Sequence, residues 1–162
     1  MTEILEAIIG QFLKEKNYML AMAESCTGGL LGHRVTNIPG SSEYYLGSIT
    51  AYSYEAKERL LKVSHETLEK YGAVSEETVL EMARGVRNAL AADIGLSVSG
   101  IAGPGGGMPL KPVGTVWIGL STPTGDWANK FLFNGNRVQI KEQAAEAALQ
   151  FLKEFLSHGH PA

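Results

Sequence analysis

Residues Gly40 to Lys57 read GSSEYYLGSITAYSYEAK, and the stretch passes from a turn into a strand and from the strand into a helix. Leu46 to Tyr52 is rich in β-branched and aromatic residues, which predicts a strand. Pro39-Gly40 predicts the turn ahead of it, and Glu55-Ala56-Lys57 begins a helical pattern. Around one short apolar run the stretch also places the hydroxyls of Ser41 and Ser42, the phenol of Tyr52 and the amine of Lys57. A serine, a tyrosine and a lysine with no obvious histidine partner point to a serine nucleophile activated by an amine. A lysine serves as the base only where burial or a nearby positive charge lowers its pKa. Spacing alone favours a plainer reading, in which a serine caps the turn, Tyr52 packs in the core and Lys57 is solvated. Tyr52 and Lys57 stand five apart and no GxGxxG opens the chain, which argues against a short-chain dehydrogenase.

Upstream, Tyr18 to Glu24 (YMLAMAE) is short and apolar, a buried strand. Ser25-Cys26-Thr27-Gly28-Gly29 follows as a tight turn, and Leu30, Leu31 and Val35 then take helical spacing. That helix should end before Pro39. Thr2 to Lys16 spaces Leu5, Ile8, Ile9 and Phe12 as one helix face, with Thr2 the expected cap. Downstream, Tyr54 to Val63 is predicted helical, Ser64 caps a helix stopping at Gly72, and Ser75 opens a longer one. Leu96 to Ile101 alternates as a strand and runs into a glycine-rich loop. Gly114 to Ser121 and Trp127 to Phe133 should pair antiparallel across Pro123 to Asp126. Asn134-Gly135-Asn136 precedes a last helix from Arg137 to Ser157, and Gly159 to Ala162 is an expected frayed tail. Early alternation of helices and strands with a late hairpin predicts a mixed, mostly parallel sheet covered by helices on both faces.

The chain of 162 residues has the size of one domain, 1–162, with a formal net charge of −3. That balance argues against a general nucleic-acid binder. The single cysteine, Cys26, allows no intrachain disulfide and fits a reducing compartment. The first residues are acidic where a signal peptide needs basic ones, and no apolar run reaches the ~20 residues that span a bilayer. The expectation is a cytoplasmic protein without membrane contact. The exposed helix faces admit pairing of copies, so a homo-oligomer is expected.

Three further clusters are candidates. Backbone amides at the helix start after Ser25 to Gly29 attract anions, with Ser25 or Thr27 adding a hydroxyl or Ser25 itself a nucleophile. An ordinary capped turn explains that motif equally well. Ser99 to Gly107 reads SGIAGPGGG, and such a loop turns successive amides, from Gly100 onward, toward an anion or a carbonyl oxygen. No Gly-Lys-Ser/Thr follows, so it is not a P-loop. Arg137 at a helix start meets the wrong end of the dipole, an objection that a shared anion would remove. His33, His65, His158 and His160 have no metal-ligand spacing, so no metal is expected. Cys26 reads as a small residue near a turn, with a thiolate at the helix start the lesser reading.

Taken in order, AESCTGG (Ala23 to Gly29), PGSS (Pro39 to Ser42), AYSYEAK (Ala51 to Lys57), GAVS (Gly72 to Ser75), SGIAGPGGG and KPVGTVW (Lys111 to Trp117) resemble the CinA C-terminal domain family. Its larger proteins carry an additional N-terminal domain, and this chain is similar to the stand-alone nicotinamide-nucleotide amidases. The resemblance implies a three-layer α/β/α sandwich without metal or cofactor. It implies hydrolysis of nicotinamide mononucleotide to nicotinate mononucleotide and ammonia, in pyridine-nucleotide recycling. By motif match the catalytic serine, lysine and tyrosine fall on Ser42, Lys57 and Tyr52. Ser25, Ser99 and Arg137 fall on pocket positions, and Ser25 stays open as the alternative nucleophile.

On this reading the oxyanion meets amides of the Ser41-Ser42 turn or of the loop after Ser99. The 5′-phosphate rests near Thr27-Gly28-Gly29 or on Arg137. The chain departs from the family at Tyr54, where an asparagine is usual, and at Asn136, where an aspartate is usual. The rival reading is a non-catalytic nucleotide-binding module, in which Lys57 pairs with phosphate and has a raised pKa. An interaction domain for a repair partner has no feature here to support it.

Overall fold

The computed structural model of the protein describes residues 3–161. Thr2, the expected cap, and Ala162, the end of the expected tail, lie outside the described residues. The elements run α1 (Leu5–Lys16), β1 (Leu20–Glu24), α2 (Leu30–Thr36), a 3₁₀ turn (Ser41–Glu43), β2 (Tyr45–Thr50), α3 (Tyr54–Leu61), α4 (His65–Tyr71) and α5 (Glu76–Ala89). Then come β3 (Ile94–Gly100), β4 (Thr115–Thr122), β5 (Gly125–Leu132) and α6 (Arg137–His158). Side chains cap the helices where the sequence places hydroxyls and amides. Ser53, Ser64, Ser75 and Asn136 each accept from the backbone three residues on.

The sheet has the order β2-β1-β3-β4-β5. β1 is parallel to both β2 and β3, while the β3–β4 and β4–β5 pairs are antiparallel. Four of the five strands therefore share one direction and only β4 opposes them. The late hairpin turns on Pro123-Thr124, since Thr122 already pairs with Gly125. Helices α1, α2 and α6 cover one face, packing on Leu20, Met22, Leu96, Val98 and Ile118. Helices α3, α4 and α5 cover the other, packing on Ala21 and Ala23. Buried on both faces, β1 reads as a continuous apolar run rather than an alternating one. On the alanine side α5 lies directly on the sheet. A Cβ at Gly119 would stand 2.4 Å from the Val79 carbonyl oxygen, so only glycine permits that approach.

This wiring fixes where a ligand can enter. From β1 the chain leaves through α2 to β2 on one side, then returns through α3, α4 and α5 to β3 on the other. The two connections cover opposite faces, which opens a crevice outside the carboxyl end of β1.

Candidate active site

The carboxyl ends of β1, β2 and β3 meet around a cavity of about 280 Å³. Ser25 follows β1, and its amide donates to the Val98 carbonyl of β3 at 3.1 Å. Ala51 follows β2, and its amide donates to the Glu24 carbonyl at 2.9 Å. The two loops are thereby tied side by side. Ser53 caps α3, so Lys57 lies in the first turns of that helix. Helical side chains lean toward the N-terminus, which carries the Lys57 ammonium back over the end of β2. There it donates to Ser25 Oγ at 2.9 Å, the Ala51 carbonyl at 2.8 Å and the Tyr52 carbonyl at 3.1 Å.

Lys57 is 1% exposed and no carboxylate bonds to it among the described residues. Burial without a counter-charge pulls its pKa from 10.5 down to about 8. Ser99 lines the same cavity, fully buried in the fold. Larger clefts of about 500 Å³ along α1 and about 610 Å³ beside Met108 contain no buried titratable side chain.

The structure corrects the place of Ser42. It is exposed in the 3₁₀ turn at the amino end of β2, whereas Lys57 follows the carboxyl end. Six strand residues at ~3.3 Å each put roughly 20 Å between them. The Ser41–Ser42 turn is thus remote from the cavity as an oxyanion site too, and the Ser41 amide donates to Ile38. The serine beside the lysine is Ser25.

Tyr52 is corrected in part. Its carbonyl holds the lysine, but its phenol is 61% exposed at the rim and accepts from Arg137 Nη2 at 3.1 Å. Arg137 Nη1 donates to the Gly103 carbonyl at 2.6 Å, so one guanidinium bridges the loops after β2 and β3. The dipole objection falls away because Asn136 and Gln139 cap α6 with a reciprocal pair of bonds.

Thr27, Gly28 and Gly29 are corrected as a phosphate site. The fully buried Glu24 carboxylate fills the start of α2. Its Oε1 accepts from Thr27 Oγ1 at 2.6 Å, the Leu31 amide at 2.9 Å and the Gly29 amide at 3.2 Å, and Oε2 accepts from the Gly32 amide at 3.1 Å. The protein supplies its own anion there. The sequence held a clue. Period two sets Glu24 on the same face as Leu20 and Met22, hence inside. Cys26 lines the cavity, but burial pushes its thiol up to about 12, which removes the thiolate reading.

The family model for the CinA C-terminal domain matches residues 2–156. The chain belongs to the CinA C-terminal domain family. A CinA-like protein of Desulfotalea psychrophila is 49% identical over 95% of the chain and 37% of its own length. A putative competence-damage inducible protein of Moorella thermoacetica is 51% identical over 93% of the chain and 36% of its own length. The chain thus spans a little over a third of these curated relatives. The crystal structure of competence damage-inducible protein A from Klebsiella pneumoniae superposes with a TM-score of 0.92 at 36% identity, covering 95% of this chain and 96% of that one.

In this CinA domain both departures from the usual motif have local roles. The Tyr54 hydroxyl accepts from the Ala73 amide at 3.2 Å, bracing the cavity wall formed by Ala73 and Val74. Asn136 caps α6 as an aspartate would. No helix among the described residues is long and apolar enough to cross a membrane.

Proposed function

We propose that the protein is a nicotinamide-nucleotide amidohydrolase in which Ser25 is the nucleophile and Lys57 the base. The observation that carries this reading is the 2.9 Å contact between Lys57 Nζ and Ser25 Oγ, made by a lysine buried without a counter-charge. When Lys57 is charged it donates to Ser25. When it is neutral its lone pair accepts the serine proton, so the same contact serves as the proton path. A lysine kept for phosphate would point its ammonium into the cavity, whereas this one is spent on Ser25 Oγ and two main-chain carbonyls, which favours catalysis over the binding-module reading.

Neutral Lys57 takes the Ser25 proton as Oγ attacks the carboxamide carbon. The developing oxyanion is assigned to amides among Ala102, Gly103, Gly105 and Gly106, which border the cavity. The lysine returns its proton to the departing nitrogen, releasing ammonia and leaving an acyl ester on Ser25. Neutral again, it deprotonates a water that attacks the ester, then passes that proton to Ser25 Oγ as the C–O bond breaks, giving the nicotinate product and restoring the serine. Ser99 and Tyr52 line the cavity where the pyridine ring enters.

Ammonia release from nicotinamide mononucleotide, with nicotinamide and nicotinamide riboside as controls, is the test. Ser25→Ala should lower turnover at least about a thousandfold, whereas Ser42→Ala should keep it within about twofold of wild type. A Ser25→Ala enzyme that works normally would end the covalent mechanism.

A further inference from the structure

Lys141 lies one turn beyond Arg137 on α6, and residues so spaced hold their Cβ atoms ~5–6 Å apart on one helix face. Its ammonium stands beside the turn after β1, where a Cβ at Gly28 would be 3.7 Å from Lys141 Nζ. Its charge acts on the thiol of Cys26, a residue of the cavity wall. Lys141 makes no hydrogen bond or ion pair among the described residues. Nothing stands within 4 Å of a Cβ at the next residue, Gly29, so the turn is open there. The nearest buried anion, Glu24, is already satisfied by four donors.

A mononucleotide whose carboxamide reaches Ser25 carries its phosphate at the far end, beyond a pyridine ring and a ribose. The amides at the start of α2 cannot receive that phosphate, because Glu24 holds them. A phosphate monoester bears about −1.5 to −2 charges at neutral pH, more than one partly engaged guanidinium balances. We infer that Lys141, paired with Arg137 across one turn of α6, receives the substrate's phosphate and makes this site select mononucleotides over nucleosides. The inference rests on the amidase reading for its substrate. Lys141 is a specificity residue and takes no part in bond making.

The test compares nicotinamide mononucleotide with nicotinamide riboside on wild type, Lys141→Gln and Lys141→Arg. The ratio of the two kcat/KM values should fall roughly 10- to 100-fold in Lys141→Gln, through KM rather than kcat, and recover in Lys141→Arg. Inorganic phosphate should compete with the mononucleotide on wild type and more weakly on Lys141→Gln. An unchanged ratio, or equal losses on both substrates, would overturn the inference and make Lys141 a structural residue. Calorimetric binding of nicotinate mononucleotide to the same proteins separates the two proposals. A wild type that hydrolyses nothing sinks the amidase, whereas equal binding by wild type and Lys141→Gln sinks the phosphate site.

Discussion

Lysine is almost never fully buried unless paired, and Lys57 is buried among neutral acceptors, Ser25 Oγ and the Ala51 and Tyr52 carbonyls. Between about 8 and 10.5 the folded protein holds fewer protons on this group than the unfolded chain does. Stability therefore rises with pH across that window, and the cost of the buried ammonium is fully present below it. Relative to Lys57→Met, wild type should gain up to roughly 3 kcal/mol between about pH 7 and pH 10, read from urea unfolding of both proteins. On the proposed mechanism the same titration governs turnover. The neutral base is the minor form at pH 7, so log kcat/KM should climb with unit slope and level off near a pH of about 8. A flat profile through that region would remove Lys57 as the base. Lys57 could be marked in the sequence, but its burial against Ser25 rather than Ser42 could not. Ser42 is near Lys57 along the chain, but a strand lies between them, and the two ends of a strand are its most distant points.

At the scale of elements the sequence was explicit where local chemistry decides. Serine caps, glycine stops and the hairpin all stand within a residue or two of their expected places, as helix and strand ends usually do. Less explicit was the occupant of the α2 N-terminus, signalled only by period two, because a glutamate ending an apolar run reads first as the polar end of a strand. Glu24 holds Thr27, Gly29, Leu31 and Gly32 at once, so it organises the turn that carries Ser25. Glu24→Gln replaces one acceptor oxygen by a donor facing buried donors. It should cost about 2–3 kcal/mol in denaturant unfolding and accelerate amide exchange first in the 25–32 segment. Exchange unchanged there, with full stability, would mean that the backbone alone sets the turn.

At the scale of the whole molecule the site is a product of topology. Ser25, Lys57, Ser99 and Arg137 are scattered along the chain, and they converge because β1 lies between β2 and β3 with connections on opposite faces. Strand ends could be marked in the sequence, but their order in the sheet could not, and neither could the carbonyls of Ala51 and Tyr52 that hold the lysine. Arg137 closes this assembly from the opposite layer, joining the loop after β2 to the loop after β3 through Tyr52 and Gly103. A planar guanidinium spans both acceptors, whereas a lysine offers one compact charge and cannot bridge them in the same way. Arg137→Lys should therefore retain a cation at the rim yet loosen both loops. Amide exchange should rise together in the segments 51–53 and 101–107, with kcat falling about tenfold or more as the cavity loses its fixed shape. If exchange rises in neither segment while only KM increases, Arg137 acts as a charge for the phosphate alone, and the loops are held by their own backbones.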